Sequence, residues 1–197
     1  MQLNKKLIQK LKESTGAGIM DCKKALEKYE NDFNKAQHYL KEKEIVKIEK
    51  RKDKKTQEGI VYGYIHNDNK LGVLVEINCE TDFVARTNEF VKLAKELALQ
   101  IAAMNPKWIT RENVPSDIIE KEKNLYTQKA KEEGKPDNII EKVVSGRLEK
   151  FFSEVCLTEQ PYIRDENKKV KDIINETIAK LGENIRVSKF YRIKIGE

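Results

Sequence analysis

Residues Gly59–Cys79 read GIVYGYIHNDNKLGVLVEINC. Through the first third of this stretch the apolar period is two: Val61, Gly63 and Ile65 alternate with Tyr62, Tyr64 and His66. Alternation of that kind sends successive side chains to opposite faces of an extended chain. Asn67-Asp68-Asn69-Lys70 has the composition of a hairpin turn, and Leu71–Cys79 forms the return strand. A β-hairpin therefore stands at the centre of the chain, and the sequence on either side is helical in pattern.

Upstream lies Lys41–Lys55, KEKEIVKIEKRKDKK, with eight basic and four acidic residues. Its high helix propensity and few apolar anchors predict a solvated helical linker. A phosphate-binding arm is the alternative, and the interspersed acids weigh against it. Before it, Phe33, Ala36, Gln37 and Leu40 fall at helical spacing behind a turn and N-cap at Asn31-Asp32. Ile19, Cys22, Ala25 and Leu26 mark the inner face of a helix from near Gly18 to about Lys28. Leu3, Leu7, Ile8 and Leu11 mark the first helix, which should stop at Ser14-Thr15-Gly16.

Downstream of the hairpin, Phe90, Leu93, Ala94, Leu97 and Ile101 share one helical face, and Asn105-Pro106 ends that helix. Ile118, Ile119, Glu122 and Leu125 point to another helix before Gly134-Lys135-Pro136. Asp137 is placed to cap the next, with the stripe Ile140, Val144, Leu148, Phe151 and Val155. Val170, Ile173, Ile174, Thr177, Ile178 and Leu181 form a further helix stopped by Gly182. A closing strand follows, with Ile185, Val187, Tyr191, Ile193 and Ile195 on one face and Lys189 as the exception. The expected class is α+β, a small antiparallel sheet covered by helices. The expected organisation is a three-helix module over residues 1–45, a basic helical linker over 46–58 and an α+β core over 59–197. There is no internal repeat.

Composition narrows the function. The chain has 197 residues, 37% of them charged, and carries 39 basic against 33 acidic side chains for a net charge of +6. That excess suits an acidic protein face or RNA, and a solvated, salt-bridged surface accounts for it equally. Cys22, Cys79 and Cys156 lie far apart and form no CxxC pair, and neither His38 nor His66 stands at a metal-ligand spacing. An odd count precludes a complete internal disulfide set, so free thiols in a reducing compartment are expected. Lysines interrupt residues 1–12, no signal peptide is evident, and no apolar run approaches the roughly 18 residues a membrane helix needs. A soluble, intracellular protein is expected.

Thr15-Gly16-Ala17-Gly18 invites a dinucleotide-loop reading, but Asp21 stands where the third glycine belongs and a helix precedes it where a strand is required. A tight turn between helices is the structural alternative. Neither histidine neighbours a serine or cysteine in a nucleophile motif, and no catalytic residue is assigned. Thr81-Asp82-Phe83-Val84 sits between the return strand and the next helix, a junction from which side chains can project towards a partner. Alternatively Phe83, seven residues before Phe90, staples that helix into the core. An RNA-binding module is the rival to a protein-binding one, yet the chain has no RNP-type aromatic motif, GXXG loop or arginine run.

Ile8–Leu26, IQKLKESTGAGIMDCKKAL, resembles the opening signature of the bacterial-type elongation factor Ts family, and Asn78–Arg86, NCETDFVAR, resembles its second. GRLEKFFSEVCLTEQPY from Gly146 and GENIRVSKFYRI from Gly182 are similar to that family's tail. The resemblance covers nearly the whole chain in the right order. It implies a guanine-nucleotide exchange factor that binds elongation factor Tu with GDP, rather than an enzyme, with no cofactor or metal of its own, no direct nucleic acid partner and no membrane. It implies that the N-terminal module is similar to a ubiquitin-associated domain and grips the partner through Ile19, Met20 and Lys23; Ile19 stands where the family often has methionine. It further implies that Thr81, Asp82, Phe83 and Val84 meet the partner, Phe83 wedging between its helices to displace the magnesium that holds GDP. Longer members carry a duplicated core and an inserted helical hairpin. One core unit is evident here, which implies a homodimer, with the closing strand and the helix before it as the candidate interface. The implied location is the cytoplasm or the interior of a bacterially derived organelle.

Overall fold

The computed structural model describes residues 5–197; Leu3, expected on the first helix, lies outside them. The opening helices are α1 (Lys5–Thr15), α2 (Ile19–Lys28) and α3 (Phe33–Arg51). Thr15 closes α1 by donating its hydroxyl to the Leu11 carbonyl at 2.6 Å. Gly16 turns the chain at φ +70°, where a side chain would be strained, and its N–H reaches the Lys12 carbonyl. Asp32 accepts from the Lys35 N–H at 3.0 Å, the N-cap expected for α3. Leu11, Ala17, Cys22, Ala25, Leu26, Ala36 and Leu40 are buried together, with Leu7, Ile8, Tyr29, Phe33 and Tyr39 packed around them.

The charged run is not a separate segment. It continues α3 as far as Arg51, and Ile48 within it is buried. Asp21 on α2 accepts from Lys43 at 3.0 Å and faces Lys47 at 3.6 Å. That hydrogen bond from Lys43, with the charge of Lys47, holds the Asp21 carboxyl below its usual range despite partial desolvation.

Strands β1 (Glu58–Ile65) and β2 (Leu71–Cys79) form the hairpin, closed by His66 N–H to the Leu71 carbonyl and turned through Asn69 at φ +55°. Then come α4 (Asp82–Ala85), α5 (Asn88–Met104), α6 (Ser116–Glu132) and α7 (Asp137–Val155). Pro136, not Asp137, takes the N-cap position of α7; Asp137 opens the helix, where its charge suits the positive end of the helix dipole. A short pair, β3 (Pro161–Tyr162) with β4 (Asp165–Lys169), precedes α8 (Val170–Leu181) and β5 (Arg186–Lys194). Gly182 stops α8 at φ +76°, as expected. The main sheet has the order β1-β2-β5, so β5 is an edge strand.

The chain divides into two compact units. The first takes in the described chain up to Ile60 with Ile77–Leu93 and Ile173–Arg186. The second takes in Val61–Glu76, Ala94–Asp172 and Val187–Glu197.

In the second unit, α6 and α7 form a helical hairpin around buried Ala130, Ile140 and Val144. Gln100, fully buried, donates to Gln160 and to the Pro161 carbonyl and accepts from the Ile163 N–H, which satisfies its polar atoms. Val73 and Val75 of β2 are buried while Leu74 between them is exposed, so the strand has one covered side and one open side. In β5 the face named from the sequence is the open one from Tyr191 onward: Tyr191, Ile193 and Ile195 are exposed. Phe190 and Arg192 turn the other way, and Arg192 donates to the Ala102 carbonyl at 3.3 Å.

A candidate partner-binding surface

Both sets of residues singled out from the sequence belong to the first unit. On α2, Cys22, Ala25 and Leu26 fill the interior, which rotates Ile19 and Met20 outwards at 57% and 63% exposure. Lys23 stands one turn on from Ile19 and pairs with Glu27 at 3.8 Å. The turn before α2 fixes this orientation: Gly18 caps the helix with extended backbone, and the buried Ala17 anchors the turn from below. Ile8, Lys12 and Ile19 line a shallow groove of about 500 Å³ along the outside of α1. The result is two large apolar side chains in water, flanked by lysines.

The second set lies on α4. Thr81 caps this four-residue helix, its hydroxyl oxygen accepting from the Val84 N–H at 3.4 Å. Ala85 points inwards and is buried, which leaves Phe83 outwards at 81% exposure. The core-staple alternative for Phe83 is thereby excluded. Thr87 explains why: its hydroxyl accepts from the Phe90 N–H at 3.3 Å, so a new helix starts there and the spacing from Phe83 to Phe90 is not continuous. Val84 is half-buried, and Asp82 pairs with Arg86 at 3.0 Å.

What holds α4 was not visible in the sequence. The Glu183 carboxylate accepts the backbone N–H groups of Glu80 and Thr81 at 3.1 and 3.0 Å and the Thr81 hydroxyl at 2.7 Å. In return, the Glu80 carboxylate accepts the Asn184 N–H at 2.7 Å and faces Arg51 at 3.6 Å and Lys54 at 3.5 Å. Asn184, itself buried, donates to the Lys54 carbonyl at 3.0 Å. Two loops about a hundred residues apart in sequence are thus cross-tied by reciprocal carboxylates. Cys79 lies beneath, its thiol donating to the Thr81 carbonyl, and burial pushes its pKa up to about 11.

Among the described residues no group of three or more His, Cys, Asp or Glu is placed to hold a metal ion, and no helix is long and apolar enough to cross a membrane. An exposed aromatic on a braced helix and an exposed aliphatic pair on another are features of a surface that docks.

Comparison with known proteins gives a consistent answer. The profile of the family described as "Elongation factor TS" matches residues 2–197. The chain is 55% identical over 197 residues to elongation factor Ts of Thermotoga neapolitana, covering 100% of this chain and 99% of that protein. It is 56% identical to that of Thermotoga maritima, covering 100% and 98%, and 49% identical to that of Fervidobacterium nodosum, covering 100% of both.

Proposed function

The chain belongs to the elongation factor Ts family, and from that premise we propose that it is the nucleotide-exchange factor of an elongation factor Tu, acting in the cytoplasm. The observation that carries the proposal is Phe83, a large apolar ring 81% exposed on a helix fixed from both ends. The ring enters between helices of elongation factor Tu and shifts the ligands of its magnesium ion. Magnesium neutralises much of the diphosphate charge, so a small displacement weakens GDP severely. Ile19, Met20 and Lys23 supply the separate grip, and Thr81, Asp82 and Val84 shape the edge around the ring.

Exchange by this route is a coupling between two ligands on one protein. By whatever factor the exchange factor weakens GDP, GDP weakens the exchange factor. Each tenfold requires about 1.4 kcal/mol of differential contact, an amount that a few buried anchors supply. GTP then binds the emptied site and releases the factor by the same reciprocity.

A homodimer completes the partner surface. Supporting it is the open side of the sheet in the second unit, where Val61, Ile65, Leu74, Tyr191 and Ile193 are all exposed. Side chains at Gly63 and Gly72 would approach Leu74 and Ile65, which sets those residues on this same side. The apolar residues Val170, Ile174 and Ile178 of α8 are buried, which favours the strand over the helix as the contact. Against the RNA-binding alternative, Lys43, Lys47, Arg51 and Lys54 of the basic run all face carboxylates.

The direct test is release of a fluorescent GDP from elongation factor Tu, with and without this protein, over a magnesium titration. Acceleration that fades as magnesium rises is expected; an unchanged release rate overturns the proposal.

A further inference from the structure

The tail segment GENIRVSKFYRI gives Glu183 no role by itself, yet its carboxylate receives three donors from the segment that carries Phe83. The two backbone N–H groups fix the path of the chain into α4. The Thr81 hydroxyl has one proton, and that proton goes to Glu183 at 2.7 Å. The hydroxyl's lone pairs are then left facing the Val84 N–H, which is the cap bond that starts the helix. A carboxylate thus sets the rotor of the residue that sets the helix that aims the ring. The neighbouring Asn184 is anchored independently, through its N–H to Glu80 and its side chain to the Lys54 carbonyl. The carboxylate accordingly has a fixed base.

We propose that Glu183 is the positioning residue for exchange: it holds α4 so that Phe83 meets the partner already in its productive orientation. This rests on the exchange reading above. A helix of four residues has too few internal hydrogen bonds to hold its own geometry. Without the brace, the orientation must be found at each encounter, and that ordering cost falls on the step in which the ring enters. The loss therefore appears in the maximal exchange rate more than in the affinity of the first encounter, to which the α2 face contributes separately.

The test is a double-mutant cycle on nucleotide release. Glu183→Gln keeps the size of the side chain but offers one acceptor oxygen where three donors converge, and turns an amide N–H₂ towards the rest. Release of fluorescent GDP from elongation factor Tu is followed by stopped flow at increasing concentrations of wild type, Glu183→Gln, Phe83→Ala and the double variant. Glu183→Gln is expected to lower the maximal rate about tenfold with little change in the half-saturating concentration. In the Phe83→Ala background the same substitution should cost less than about twofold, because its effect passes through the ring. A structural role predicts the same loss in both backgrounds, and that result, or an unimpaired Glu183→Gln, overturns the inference. Should Glu183→Gln fail to fold, Thr81→Val takes its place in the cycle, removing the hydroxyl bond while leaving both backbone donors. A wild type that leaves release unchanged overturns the exchange reading itself; an active wild type with additive losses overturns only the role of Glu183.

Discussion

Phe83 keeps most of its ring in water although an aromatic of that size gains several kilocalories per mole from full burial. Phe83→Ala should accordingly leave the melting temperature of the free protein nearly unchanged. Exchange should fall about thirtyfold, the loss expected when a buried hot-spot aromatic worth about 2 kcal/mol is truncated. Thermal melts with the GDP-release assay check both halves, and a marked destabilisation with activity retained would refute the wedge. Spacing alone favoured a core role, because seven residues separate Phe83 from Phe90 and two helical turns would stack them. The cap at Thr87 broke that inference, and a hydroxyl that caps is indistinguishable in sequence from one that does not. The bracing role of Glu183 was illegible for a different reason, although the residue lies in the tail segment GENIRVSKFYRI. Its partners are all distant in sequence, and a single carboxylate among many carries no periodic signal.

At the scale of elements, α2 has one face packed inwards and one face in solvent. Ile19→Ala and Met20→Ala should each weaken binding to elongation factor Tu by about tenfold while the melt is preserved, since both side chains are exposed. Leu26→Ala on the opposite face should cost roughly 2 to 5 kcal/mol of stability. Titration calorimetry beside thermal melts distinguishes the two faces. A second element-level feature fastens the end of α7 to the segments around it. Glu159, nearly buried, accepts from Arg111 and Lys169, each at 2.9 Å, and faces Lys171 at 3.6 Å. Burial alone would raise its pKa, but the hydrogen bonds from Arg111 and Lys169 and the charge of Lys171 outweigh that and hold it down to about 2. A depressed carboxyl contributes fully above its ordinary value of 4.5 and loses the contribution as pH falls through about 2. The wild type should therefore lose on the order of 3 kcal/mol across that window, and Glu159→Gln, less stable at neutral pH, should show a flatter acid limb in melts from pH 5 to 2. The helices themselves were legible because their apolar stripes repeat. The merger of the charged run into α3 was not, since Lys and Glu favour a helix equally whether it stands alone or extends another.

For the whole molecule, the open sheet side sets the expected state in solution. Ile193→Glu should shift light scattering at micromolar concentration towards the 22.9 kDa of a single chain, whereas the wild type should scatter as a pair. A wild type that scatters as one chain while exchanging fully would refute the dimer. Alternation in Ile185–Ile195 showed which residues share a side, but not which side the rest of the protein covers; only the fold decides that. The bond between Thr81 and Glu183 has a further consequence, in time. The two residues are 102 positions apart, so at ~5–20 residues per second the ring is synthesised roughly 5 to 20 s before the brace that aims it. On the role proposed for Glu183, a growing chain carries Phe83 through that interval without the carboxylate that braces its helix.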